Sequence, residues 1–262
     1  MPQVHKVGGE TRPHAKQTGH LHSTAVFMTV QRYSQTTLPT SHGTFGCVVY
    51  REDDGTEHVA MVAGDVAGDD VLCRVHSECL TSEVFGSLKC DCKHQLDRAL
   101  DLIARRGRGV VVYMRGHEGR GIGLGDKIRA YALQEQGHDT VDANRLLGLP
   151  DDVRDFSPVQ QILADLGVKS VALLTNNPLK VEALEALGVR VVRRVPHLVK
   201  VADGAMRYLE VKGRRMGHVL DGPLGEPTAS VAGVHASHSS CSAGGNQRTG
   251  VSDFAALSLA SK

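Results

Sequence analysis

Three cysteines, Cys79, Cys90 and Cys92, stand in the stretch R-V-H-S-E-C-L-T-S-E-V-F-G-S-L-K-C-D-C-K-H-Q-L. Two thiolates one residue apart, with a third earlier in the chain across an expected turn, can converge on one metal ion. Three protein ligands leave the fourth tetrahedral position of Zn²⁺ open for water, which is the pattern of a catalytic zinc site. The segment also carries Arg74, His76, Glu78, Lys89, Asp91, Lys93 and His94, which a structural clip does not need. The plain alternative is a set of buried thiols without a chemical role.

Two loops offer places for an anion. G-H-E-G-R-G-I-G-L, residues 116–124, follows an expected strand at 109–114. Its glycines let backbone amides approach a ligand, and Arg115 and Arg120 add positive charge. T-N-N-P-L-K, residues 175–180, leads into an expected helix. There Thr175 and Asn176 can hydrogen-bond a ligand, Lys180 supplies charge, and helix N-termini bind anions. Simple capping of that helix is the alternative use of the same residues. A metal site, two such loops and nearby carboxylates together point to metal-assisted hydrolysis of a phosphorylated compound.

The elements that must position these residues read as a single mixed-sheet α/β domain. Strands are expected at 46–50, 58–62, 71–75 and 109–114, and helices at 94–106, 128–136 and 158–166. A βαβ unit follows: a strand at 171–175, a helix opened by Pro178 and stopped by Gly188, and a strand at 189–192. The catalytic domain is expected to span 28–222. Residues 1–27 and 223–262 are polar or rich in Gly, Ser, Ala and His, and read as disordered tails; Cys241 in the second is expected to be a free thiol. The 262 residues include no Trp and 41% hydrophobic residues, so aliphatic packing must form the core. A formal charge of +1 argues against a nucleic-acid binder with a broad positive field. No apolar run reaches membrane-spanning length and no signal-peptide core is visible, so the cytoplasm is the expected location, and the six cysteines read as thiols and metal ligands.

R-V-H-S-E-C-L-T, C-D-C, E-G-R-G-I-G-L, K-I-R-A-Y-A-L-Q, D-T-V-D-A-N, D-V-R-D-F and T-N-N-P-L-K occur here in the order found in GTP cyclohydrolase II. The chain resembles that family from about residue 38 to residue 220. The resemblance implies conversion of GTP and water to 2,5-diamino-6-ribosylamino-4(3H)-pyrimidinone 5′-phosphate, formate and pyrophosphate, the first step of riboflavin biosynthesis. It also implies Zn²⁺, Mg²⁺ with the GTP phosphates, and a homodimer, with neither nucleic acid nor membrane as partner. Carried over by position, it makes Cys79, Cys90 and Cys92 the zinc ligands. Arg74, Val75, His76, Ser77, Glu78, Gln95, Glu118, Gly119, Arg120, Thr140, Thr175 and Lys180 match GTP-binding positions. Asp152 matches the proton acceptor, Arg154 the nucleophile, and Tyr131 an active-site tyrosine. The chain departs from common forms at Lys89, where Arg is frequent, at Lys93, where Gly is frequent, and at Gly116-His117, which adds one residue. Some relatives carry 3,4-dihydroxy-2-butanone 4-phosphate synthase ahead of this domain. The stretch before residue 28 is too short for a second enzyme, so a monofunctional form is expected.

The implied chemistry assigns further tasks. Three thiolates make a zinc-bound water less acidic than three histidines would, so a nearby base or cation is useful, and Lys93, His94 and His76 are candidates. Glu118 can accept hydrogen bonds from guanine N1–H and its 2-amino group, with Gln95 in support. Tyr131 can orient the formamide formed on ring opening. Arg154 is either a nucleophile activated by Asp152 or a clamp on the α-phosphate; a guanidinium stays protonated at physiological pH, which strains the first reading. Two alternatives remain: a related enzyme that stops at the formamide or serves secondary metabolism, and a non-catalytic zinc- and nucleotide-binding protein. A chain trimmed to residues 28–224 is expected to keep most of its turnover. Loss of folding or activity on trimming would give a tail a structural role.

Overall fold

The computed structural model describes residues 29–199 and the isolated position Gly213. The expected tails, Cys241 and the last part of the expected catalytic domain lie outside the described residues. Among the described residues, seven strands form one mixed sheet in the order β1-β2-β3-β5-β4-β6-β7. They are β1 (Val30–Thr40), β2 (Gly43–Glu52), β3 (Glu57–Ala63), β4 (Val71–Ser77), β5 (Gly109–Met114), β6 (Val171–Leu174) and β7 (Val191–Val195). The first three form an antiparallel meander, and β3 lies antiparallel to β5. The strands β5, β4, β6 and β7 run parallel.

Helices cover both faces, as a parallel sheet requires. Ala99 and Ile103 of α2 (Cys92–Arg106) pack on Phe45, Leu72, Val111, Ala172 and Leu174. On the other face, Val159 and Ile162 of α5 (Ser157–Asp165) and Leu184 of α6 (Pro178–Ala186) join Val71, Cys73, Val75, Val112 and Leu173. The strand β4, V-L-C-R-V-H-S, is buried from Val71 to His76. Side chains alternate along a strand, so Arg74 and His76 share the Leu72 face, the side on which α2 lies. An arginine and a histidine are thereby placed inside the sheet's helix-covered face.

The chain order of the strands sets the position of the site. From β4 the chain crosses to β5 on one side, then returns past β4 to β6 on the other. Neighbouring connections therefore diverge above the carboxyl end of β4. In open α/β sheets that divergence leaves a crevice for ligands. The cysteine segment after β4 and the two loops singled out in the sequence, after β5 and β6, begin at this edge.

The expected strands at 46–50, 58–62, 71–75 and 109–114 fall inside β2 to β5, and the expected βαβ unit is β6, α6 and β7, its second strand lying at Val191–Val195 rather than 189–192. Three features differ from expectation. β1 was not anticipated: nine of its eleven residues are exposed, so it shows no period of two and is held by its ladder to β2. α3 (Gly123–Glu135) starts within the glycine-rich run rather than at 128. Two short helices, α1 (Leu80–Glu83) and α4 (Thr140–Leu146), are too brief to leave an amphipathic pattern.

Candidate active site

Cys79 precedes α1, while Cys90 and Cys92 bracket Asp91 at the start of α2. Their three sulfur atoms lie within 4.8 Å of one another, with 3.7 Å between Cys79 and Cys90. Thiolates about 2.3 Å from a tetrahedral zinc stand roughly 3.8 Å apart, so the donor set fits that ion. Among the described residues, no other group of three His, Cys, Asp or Glu ligand atoms gathers in this way. The Cys79 thiol is held far below its usual range by hydrogen bonds from Cys90 and Cys92, with Lys127 adding to the effect. Cys90 is pushed up chiefly by the adjacent Cys79 thiolate. One thiolate, on Cys79, is thus favoured within the cluster, and its neighbours hydrogen-bond to it.

The cation beside this cluster is Lys127 of α3, to which the sequence alone assigns no role. Its Nζ donates to Cys79 Sγ and to Thr81 Oγ1, each at 3.0 Å, and pairs with Glu118 Oε1. Burial lowers its pKa, but Glu118 and Cys79 outweigh that and the net shift is upward. The expected alternatives Lys93 and His94 are exposed, and Lys93 pairs with Asp97. The third, His76, is buried and burial drives its pKa well down, so it is neutral. Its Nε2 lies 2.8 Å from Glu83 Oε1, while Tyr113 donates to Glu83 Oε2 at 2.5 Å. Burial pushes the Glu83 carboxyl up to about 7.

A cleft of about 1080 Å³, part of it open to solvent, runs from the cysteines to the β6–α6 loop. Arg74, His76, Ser77, Glu78, Gln95, Glu118, Gly119, Arg120, Tyr131, Arg154, Thr175 and Lys180 line it together with all three cysteines. Val75 does not: it is a core residue whose carbonyl accepts from Lys180 Nζ at 2.9 Å. Thr140 begins α4, and its side chain lies outside what is described. Asp152 does not line the cleft but orients a residue that does. Its carboxylate accepts from Arg154 Nε at 2.8 Å and from Arg154 Nη2, while Arg154 Nη1 reaches Ser77 Oγ at 3.3 Å. Burial raises the Asp152 pKa, but the Arg154 contacts prevail and hold it below its ordinary value.

Positive charge dominates this end of the cleft. Arg74 donates to Leu174 O at 2.9 Å and to Gln95 Oε1 at 2.6 Å, and Gln95 Nε2 donates to Asp91 Oδ2 at 2.6 Å. Both ends of the Gln95 amide are therefore engaged within the protein. Burial pushes Arg74 down to about 10, still protonated at neutral pH. Burial, with Arg74 and Arg154 next, drives Lys180 well below the usual lysine range. Asn177 caps α6 by accepting from Leu179 N at 3.1 Å, and Thr175 Oγ1 accepts from Asn177 N at 3.1 Å. Asn176 exchanges hydrogen bonds with the His197 backbone at 2.9 and 2.8 Å, and His197 Nε2 lies 2.7 Å from Gln95 O. This brace fixes the loop to the first turn of α2. His197 carried no sequence signal, since its partner is 102 residues away.

The glycine-rich loop is held from several sides. Glu78 Oε1 accepts from Gly116 N at 2.6 Å, and Glu118 Oε2 accepts from Leu80 N at 2.7 Å. Glu118 is thus buried and engaged, rather than a solvated loop carboxylate. Arg120 has φ of 71°, a conformation uncommon outside glycine. Its carbonyl accepts from Val153 N at 3.1 Å, tying this loop to the one that bears Asp152 and Arg154. Gly121 makes that approach possible: at φ of 90°, a Cβ there would lie 2.8 Å from Val153 Cγ2 and 3.2 Å from Val153 C.

Fold and site define an α/β domain with three cysteines at metal-ligand spacing beside a cluster of basic side chains in one cleft. The chain belongs to the GTP cyclohydrolase II family, whose model matches residues 31–196. It is 55% identical over 197 residues to the riboflavin biosynthesis protein RibBA of Mycobacteroides abscessus, covering 73% of this chain and 47% of that protein. The RibBA of Nocardia farcinica is 55% identical over 195 residues, covering 74% of this chain and 47% of its own length. The RibBA of Salinispora arenicola is 56% identical over 194 residues, covering 73% and 46%. The chain therefore spans about half the length of the curated relatives it matches. Among solved structures it matches a two-domain 3,4-dihydroxy-2-butanone 4-phosphate synthase from A. baumannii at 27% identity, with a TM-score of 0.38 over 64% of this chain and 40% of that one.

Gly121→Ala should force the Asp152–Arg154 loop away from the cleft. Turnover is expected to fall at least about tenfold, with a stability loss of only about 1–3 kcal/mol, a range set by one strained position. Steady-state kinetics with a urea melt separate the two effects. Unchanged turnover would show that the two loops need not meet.

Proposed function

We propose that this chain catalyses the GTP cyclohydrolase II reaction, releasing formate and pyrophosphate from GTP. The observation that carries the proposal is the placement of three cysteine sulfurs at zinc spacing in one cleft with Arg74, Lys180 and Arg154. The balanced reaction consumes three waters. One opens the imidazole ring at C8, a second frees formate from the formamide, and a third cleaves the α–β phosphate bond. Zn²⁺ held by Cys79, Cys90 and Cys92 would supply Lewis acidity and water activation for the carbon chemistry. The other residues are assigned to binding and orientation. Arg74, Lys180, Arg154 and Arg120 face the triphosphate and stabilise the departing pyrophosphate, and Mg²⁺ bound with the phosphates would add to that charge. Glu118 and the cleft wall around it face the guanine. Tyr131, beside Lys127 and Lys89 on the α3 face, orients the formamide.

For Arg154 the clamp reading is the better supported. A carboxylate that accepts from Nε and Nη2 favours the protonated guanidinium, which has no lone pair to attack phosphorus. Asp152 then aims Arg154 rather than deprotonating it. A homodimer in the cytoplasm serving riboflavin biosynthesis completes the proposal.

Formate and pyrophosphate should be quantified separately after incubation with GTP and Mg²⁺. Wild-type protein should release both. Zinc-stripped protein should lose formate yet retain some pyrophosphate release, while Arg154→Ala should lose pyrophosphate release by about 10²-fold or more, the scale of a removed transition-state charge contact. Arg154→Lys should recover part of that rate. Strictly parallel loss of both products in every variant would refute the two-ended arrangement, and a wild-type protein that binds GTP without releasing either product would refute the activity.

A further inference from the structure

We infer that Lys127 is a positioning residue for the metal centre, fastening the Cys79 thiolate to the glycine-rich loop through one ammonium group. The inference rests on the metal-dependent reading of the three cysteines. An ammonium has three N–H donors. Here one donates to Cys79 Sγ at 3.0 Å, one to Thr81 Oγ1 at 3.0 Å and one to Glu118 Oε1. Glu118 in turn accepts from Leu80 N at 2.7 Å. The turn 79–81 is thus gripped by one residue of α3 and one of the loop after β5. These contacts span 48, 46 and 38 positions of the chain, so they fix the separation between the metal corner and the loop bearing Gly119 and Arg120.

A buried ion pair that served only the fold would need one of these N–H groups. The second is spent on the sulfur of a candidate ligand. Hydrogen bonds to ligating atoms orient the ligand and tune its electron donation. A cation on Cys79 Sγ lowers the energy of the sulfur lone pairs. Charge transfer from that sulfur to a bound metal then needs a more energetic photon.

The test uses Co²⁺ in place of Zn²⁺ and reads the thiolate-to-cobalt absorption band in the full chain. Three variants separate the roles: Lys127→Met, Glu118→Gln, and the two together. The double variant removes both buried charges as a unit, a change that buried pairs often tolerate. The band is expected to move to longer wavelength in Lys127→Met and in the double variant, and to stay at the wild-type position in Glu118→Gln. Formate release by the zinc-loaded double variant should fall at least tenfold. A wild-type band position in the double variant would overturn the inference, and so would loss of folding in both Lys127 variants, which would assign the lysine to stability alone. If wild-type protein binds Co²⁺ with no thiolate band, the metal reading itself fails; if wild-type protein gives the band but forms no formate from GTP, the proposed activity fails while the role of Lys127 stands.

Discussion

Two basic side chains, Arg74 and Lys180, are buried together at the carboxyl end of the central parallel strands, and much of the site is organised around them. Arg74 is 6% exposed in the middle of β4, and Lys180 is 6% exposed on α6. Their hydrogen-bond partners are the carbonyls of Leu174 and Val75 and the Gln95 amide, which are neutral groups. Burying charge without a full counter-charge is expensive, and a depressed lysine pKa is the usual response. The protein meets this cost with a rigid frame. Gln95 bridges Arg74 to Asp91, and the His197–Asn176 brace holds the α6 loop against α2. A bound polyanion would supply the charge that this frame lacks.

The same frame joins the two ends of the cleft. Asp91 lies between Cys90 and Cys92 and is linked through Gln95 to Arg74. Lys127 and Glu118 tie the turn of Cys79 to the glycine-rich loop, and Arg120 O and Gly121 bring in the Asp152–Arg154 loop. Cysteine donors and basic side chains therefore sit in one fixed arrangement. The proposed reaction, at a ring carbon and at phosphates of one substrate, would require such an arrangement.

Much of this was legible in the sequence. The cysteine spacing announced a metal site, and the three sulfurs do gather. The glycine run and the T-N-N-P-L-K loop fall at the switch point, where strand order places them. What escaped notice depends on contacts between distant segments. Lys127 sits inside the quoted K-I-R-A-Y motif, four residues before Tyr131, and that shared helix face was the available signal. Glu83 and His197 gave none, because burial and a partner on another element create their roles. β1 was hidden for the opposite reason: it is exposed almost throughout, so hydrophobic periodicity could not reveal it.

If an anion completes the buried basic pair Arg74 and Lys180, its arrival must raise the depressed Lys180 pKa. Calorimetry of GTP binding to chelator-treated, Mg²⁺-free protein at pH 8, in buffers of different ionisation enthalpy, reads this directly. At that pH the γ-phosphate is almost fully ionised, so it has few protons to release. Burial, with Arg74 and Arg154 beside it, depresses Lys180, and nearby phosphate should shift it upward, so binding is expected to take up rather than release protons. The uptake should shrink in Lys180→Met. Binding without proton uptake, or uptake unchanged by Lys180→Met, would contradict the account.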